Sequence, residues 1–135
     1  MDLVRQRVKS VDLLRAAMFG AGSMVRRRAL QLLALYGADK VVPLIAEVLA
    51  HDECPIVRHE AAFFLGQLAD QRGVNPLVNA MRNDENPLVR HEAAEALGDM
   101  GAMSSLDALE QACRDPSEIV RRTAAMAKQQ LEMSR

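Results

Sequence analysis

Val57-Arg58-His59-Glu60-Ala61-Ala62-Phe63-Phe64-Leu65-Gly66-Gln67-Leu68 is a stretch this chain contains nearly twice. It returns as Val89-Arg90-His91-Glu92-Ala93-Ala94-Glu95-Ala96-Leu97-Gly98-Asp99-Met100, 32 residues later. Looser copies start 32 residues before the first, at Val25-Arg26-Arg27-Arg28-Ala29-Leu30, and 31 after the second, at Val120-Arg121-Arg122-Thr123-Ala124-Ala125. Four copies at one period predict an all-α fold, an α-solenoid of about four helix-pair repeats, in which each unit buries its apolar face only against its neighbours. The repeats are expected over residues 1–37, 38–69, 70–101 and 102–135 of a single domain, 1–135.

Working outward, each repeated stretch reads as the second helix of its unit. A first helix runs through Val42-Pro43-Leu44-Ile45-Ala46-Glu47-Val48-Leu49, and again through Asn75-Pro76-Leu77-Val78-Asn79-Ala80-Met81. Between the two helices lie turns rich in Asp, Glu, Asn and Pro: Asp52-Glu53-Cys54-Pro55, Asn83-Asp84-Glu85-Asn86-Pro87 and Asp115-Pro116-Ser117-Glu118. Proline near the first helical position loses nothing by lacking an N–H. Asn86 and Asp115 are the expected N-caps. The second helices should end between Gly66 and Asp70, and between Gly98 and Gly101.

Composition narrows the function classes. The 135 residues carry 17 Lys and Arg against 18 Asp and Glu, a formal net charge of −1, so nothing draws the chain as a whole to nucleic acid or anionic lipid. The short clusters Arg26-Arg27-Arg28 and Arg121-Arg122 are offset by those acids. Aromatics are 3% with no Trp, too few for a base-stacking platform. No apolar run reaches the ~18 residues of a membrane span. Cys54 and Cys113 form no CxxC pair and are read as half-buried or buried free thiols, with a reducing cytoplasm as the expected setting.

Two of the three histidines stand out. At about 100° per residue, Val57, Ala61, Phe64, Leu65 and Leu68 share one stripe, and His59 lies nearly opposite it. Ala62 and Gly66 are expected beside His59 on an exposed side, leaving the imbalance of bulk in favour of an open imidazole. His91, Glu92, Ala94 and Gly98 repeat the arrangement. Adjacent second helices pack at roughly 10 Å, so two imidazoles could converge on one ion, with Glu60 or Glu92 as the carboxylate. Two histidines and one carboxylate suit Fe(II), and manganese, zinc or nickel would accept them too. The other reading is that surface His-Glu pairs were copied by duplication and are solvated. The outer repeats carry Arg27-Arg28 and Arg122-Thr123 at the same places. His51, in a turn, has no counterpart and reads as exposed. Glu95 lies on the His91 face, either facing a cationic amine or, more simply, paired with Arg90.

The Val-Arg-x-x-Ala-Ala-x-x-Leu-Gly pattern resembles the second helix of HEAT repeats, over nearly the whole chain. At His59-Glu60-Ala61-Ala62-Phe63-Phe64-Leu65-Gly66-Gln67 and Arg90-His91-Glu92-Ala93-Ala94-Glu95-Ala96-Leu97-Gly98 it resembles the deoxyhypusine hydroxylases, HEAT-repeat non-haem di-iron monooxygenases with four His-Glu pairs in two pseudo-symmetric halves. That resemblance implies His59, Glu60, His91 and Glu92 as iron-ligand or iron-shell positions and Fe(II) as cofactor. Two pairs match one half, so the resemblance implies a di-iron centre formed between two chains of a homodimer. The competing expectation is a small HEAT adaptor that binds a protein partner on its concave face without catalysis. Neither reading involves nucleic acid or a membrane.

Overall fold

The computed structural model describes residues 14–15, 17–19, 22–36 and 38–134, and the first-repeat sequence before residue 14 lies outside them. Residues 17–19 are helical and are followed by α1 (Ser23–Leu33), α2 (Ala38–His51), α3 (Pro55–Leu68), α4 (Val74–Asn83), α5 (Pro87–Asp99), α6 (Leu106–Ala112) and α7 (Glu118–Met133). No strand occurs among the described residues. The chain is an all-α solenoid in which α2–α3, α4–α5 and α6–α7 are successive antiparallel pairs, with α1, α3, α5 and α7 stacked as one layer.

Apolar periodicity builds the core. Val57, Ala61 and Leu65 of α3 and Val89, Ala93 and Leu97 of α5 are buried, as are Val41, Val42 and Ile45 of α2 and Leu77 and Met81 of α4. Pro55 and Pro87 open α3 and α5, where no intrahelical N–H is required. Pro43 lies deeper inside α2 and cannot donate to the Asp39 carbonyl; that carbonyl accepts instead from Arg72 Nη1 at 3.3 Å.

Three features differ from the sequence expectations. Ala62, Gly66, Ala94 and Gly98 are not on an open side; they are buried between successive second helices. A Cβ on Gly66 would stand 2.7 Å from the Ala96 Cβ, and one on Gly98 2.8 Å from the Ala127 Cβ. Their small size is what allows the helices to approach this closely. Asn86 does cap α5, accepting from the Leu88 N–H at 2.9 Å, but Asp115 is not the cap of α7. Ser117 occupies that position, with Pro116 outside the helix, and Asp115 accepts from the Ser117 N–H at 2.8 Å.

The turn aspartates serve a second purpose, one per repeat. Arg26 donates to both oxygens of Asp52 (2.7 and 3.0 Å), Arg58 to both of Asp84 (2.9 and 3.2 Å) and Arg90 to both of Asp115 (2.9 and 3.1 Å). Arg58 also bonds the Asp52 carbonyl, and Arg90 the Asp84 carbonyl, each at 2.8 Å. Each arginine therefore ties its own turn to the next, bidentately and out of water. Because Arg90 is taken up this way, it is not the partner of Glu95. In the last repeat Arg121 keeps the carbonyl bond to Asp115 (2.9 Å) and is exposed.

Arg58→Ala strands the buried Asp84 carboxylate and should cost about 3–5 kcal/mol in urea unfolding, whereas Arg121→Ala should cost at most about 1 kcal/mol. Gly66→Ala, which forces α3 and α5 apart, should cost about 1–3 kcal/mol in the same measurement.

Candidate metal centre

The second helices carry, beside the clamp arginines, a row of polar side chains that pair from one repeat to the next. Arg27 of α1 meets Glu60 of α3, with Nε and Nη2 both on Oε1 at 2.8 and 2.6 Å. His59 of α3 meets Glu92 of α5, Nε2 to Oε2 at 3.1 Å. His91 of α5 meets Thr123 of α7, Nδ1 to Oγ1 at 2.6 Å. The register is constant: the residue after each clamp arginine reaches the residue two after the next one.

Of the four sequence-derived metal positions, Glu92 is the shared one, paired with His59 across the α3–α5 rung and grouped with His91 on its own helix. Glu60 is placed one rung earlier, against Arg27. Glu95 joins that group instead: donor atoms of His91, Glu92 and Glu95 all lie within 4.8 Å of one another, and His91 Nε2 is 3.5 Å from Glu95 Oε2. Cys54 and Cys113 are half-buried free thiols away from it. His51 is exposed, 3.7 Å from Glu47.

Burial and charge at this rung call for a cation. The Glu92 side chain is only 10% exposed. Burial holds its carboxyl above the usual carboxylate range; the His59 and His91 imidazoles pull it down, and the Glu95 and Asp99 carboxylates push it up. One rung earlier, Glu60 Oε2 is buried with no hydrogen-bond partner, although Oε1 accepts from Arg27. An unmatched buried acceptor costs about 1–3 kcal/mol. His91 is oriented as metal-ligating imidazoles are. The Thr123 hydroxyl donates to the Ile119 carbonyl at 2.7 Å, so it accepts from His91 Nδ1 and leaves Nε2 turned toward Glu95. The His91 imidazole with the Glu92 and Glu95 carboxylates is a nitrogen and oxygen donor set that fits a divalent cation such as Fe(II), Mn(II) or Zn(II), and His59 is hydrogen-bonded to Glu92 beside it.

The profile of HEAT repeats matches residues 11–83 and 42–129. The chain belongs to the HEAT-repeat family. Among curated proteins, none matches it significantly by sequence. Among solved structures, this HEAT protein is similar to human deoxyhypusine hydroxylase, solved in complex with glycerol, at 31% identity and a TM-score of 0.87 over 96% of this chain and 46% of that one. It is also similar to the CpcE–CpcF complex of phycocyanin lyase from Nostoc, at 28% identity and a TM-score of 0.66, over 96% of this chain and 56% of that one. The chain thus spans about half the length of either neighbour.

The sequence reading put Glu95 on the His91 face without making it a metal position, and gave Arg27 and Thr123 only as residues standing where the outer repeats lack His-Glu. Glu95 was legible as a neighbour of His91 at i+4. Thr123 and Arg27 had a weaker signal, their shared register with the His-Glu positions.

The raised Glu92 carboxyl favours folding most fully below the ordinary carboxylate pKa, a contribution lost as pH rises through the raised value. In metal-free protein, Glu92→Gln should flatten that part of the stability–pH curve, measured by thermal unfolding. Thr123→Val, which frees the His91 ring, should weaken Co(II) binding about 10–100-fold in titrations at fixed pH.

Proposed function

We propose that this HEAT protein binds a divalent metal ion at the α3–α5 rung and is a deoxyhypusine-hydroxylase-like, iron-dependent monooxygenase whose di-iron centre forms between two chains. The position of Glu92 carries this reading: it is paired with His59 and grouped with His91 and Glu95. Support comes from the likeness, over 96% of the chain, to about half of a deoxyhypusine hydroxylase. His59, His91 and Glu92 are the proposed ligands, with Glu60 in the shell around the ion. Fe(II), when bound, supplies the oxygen chemistry of a hydroxylation. The chain's own part is to hold the imidazoles in their ligating orientation and keep the carboxylates buried from water. A second chain, facing the first, would supply the remaining His-Glu pairs, and the substrate would be a protein side chain. The free thiols support a reducing, cytoplasmic setting.

A second reading rests on a separate observation. Met24, Ile56, Leu88 and Ile119 stand one residue before the valine of each repeat and are exposed (80, 55, 54 and 41%). Such an apolar line along the second helices suits a protein partner on that face, as in an adaptor without catalysis. No described helix is long and apolar enough to cross a membrane.

Protein made in iron-replete medium and purified without chelator or nickel resin should carry about one iron per chain, with His59→Ala or His91→Ala losing it. Metal-free protein that gains no thermal stability from added Fe(II) would sink the metal reading and leave the adaptor. Sedimentation of the iron-loaded protein should show a dimer; a strict monomer would refute the shared di-iron centre.

A further inference from the structure

We infer that Arg27 is the residue that limits a single chain to one metal ion: its guanidinium stands in, on Glu60, for the ligand-bearing imidazole that the next repeat offers to Glu92. The inference rests on the metal reading of the α3–α5 rung and adds to it a residue that sets how many ions bind, and where.

Three observations meet at this rung. The first is register. Arg27, His59 and His91 occupy the same place in successive second helices, each reaching the following repeat: to Glu60, to Glu92 and to Thr123. Glu60 and Glu92 are equivalent carboxylates, and the two rungs differ in two places: a permanent guanidinium against an imidazole on the reaching side, and Phe63 where the next repeat carries Glu95. Arginine has no lone pair to give a metal and stays charged in any aqueous setting. It can neutralise Glu60 but cannot help bind an ion there.

The second observation is the incomplete match between Arg27 and Glu60. Both guanidinium nitrogens fall on Oε1, and Oε2 is buried with no partner. A bidentate fork, as in the clamps of Arg58 and Arg90, would have engaged both oxygens. Glu60 is therefore a carboxylate held in place with one oxygen still unmet, a rung built like its neighbour and filled by a side chain. The third is exposure. The Arg27 side chain is 41% exposed, against 8% for Arg58 and 14% for Arg90, so its removal leaves the solenoid's clamps intact.

Replacement of Arg27 by histidine restores a His-Glu rung of the kind His59 and Glu92 form, with Phe63 still standing where the next repeat carries Glu95. Replacement by glutamine leaves Glu60 as an uncompensated carboxylate next to His59 in the chain, one rung from the existing site. Co(II) titration of the whole chain, followed by visible absorption and equilibrium dialysis, reads both effects. The wild-type chain should bind one Co(II). Arg27→His should bind two, and the double variant Arg27→His, Glu60→Gln one again. Arg27→Lys, which keeps the charge, should stay at one. Arg27→Gln should bind its ion several-fold more tightly at low ionic strength, the gain shrinking as salt is added. An Arg27→His protein that melts like wild type and still binds one ion overturns the inference. So does Arg27→Gln with unchanged or weakened affinity, which would make Arg27 a support for the site rather than a limit on it. Wild-type protein that binds no Co(II) refutes the metal reading instead; Arg27→His then decides the present inference alone, supporting it by acquiring an ion that Glu60→Gln removes and overturning it by acquiring none.

Discussion

The bidentate Arg–Asp clamp between successive turns is the constraint on which the rest of the solenoid depends. Repeat units bury apolar surface only against neighbours, and apolar packing alone tolerates sliding along the helix axis. Arg58 removes that freedom by holding the Asp52 carbonyl of its own turn and the Asp84 carboxylate of the next. Arg90 does the same one repeat on. Distance is set separately, by Gly66 against Ala96 and Gly98 against Ala127. With register and spacing both determined, the residue after each clamp arginine meets the same partner position in every repeat.

That regularity turns a sequence duplication into a polar row whose chemistry is decided by substitution. An arginine at the first rung gives a fixed ion pair, a histidine at the second gives an imidazole on a buried carboxylate, and a threonine at the third gives a hydrogen bond that orients His91. The first two rungs hold carboxylates poorly served by the protein alone, for Glu60 Oε2 is buried without a partner. Glu92 is buried beside two further carboxylates and its proton is held more tightly than usual. A carboxylate kept at such a cost in stability is characteristic of sites shaped for a ligand.

Much of the fold was legible because its signals are local or periodic. The 32-residue repeat, the prolines at Pro55 and Pro87 and the Asn86 cap each follow from short-range sterics or backbone hydrogen bonding. Asp115 was misread because its type suits a cap, while its actual partner, Arg90, is 25 residues away and on the preceding repeat. The same long-range pairing removed Arg90 from Glu95. Ala62 and Gly66 were read as open because a helical wheel knows one buried stripe, whereas a solenoid helix packs on its own pair and on both flanking repeats.

The sequence by itself determined the helices, their pairing into repeats and the two histidines worth attention, since each is a matter of residue type and period. Only the tertiary structure decided which carboxylate serves which imidazole. Those pairs run between helices, from His59 to Glu92 and from Arg27 to Glu60, rather than within the His-Glu dipeptides that drew notice. Neighbouring residues on a helix point about 100° apart, so His59 and Glu60 reach partners in opposite repeats, Glu92 on one side and Arg27 on the other.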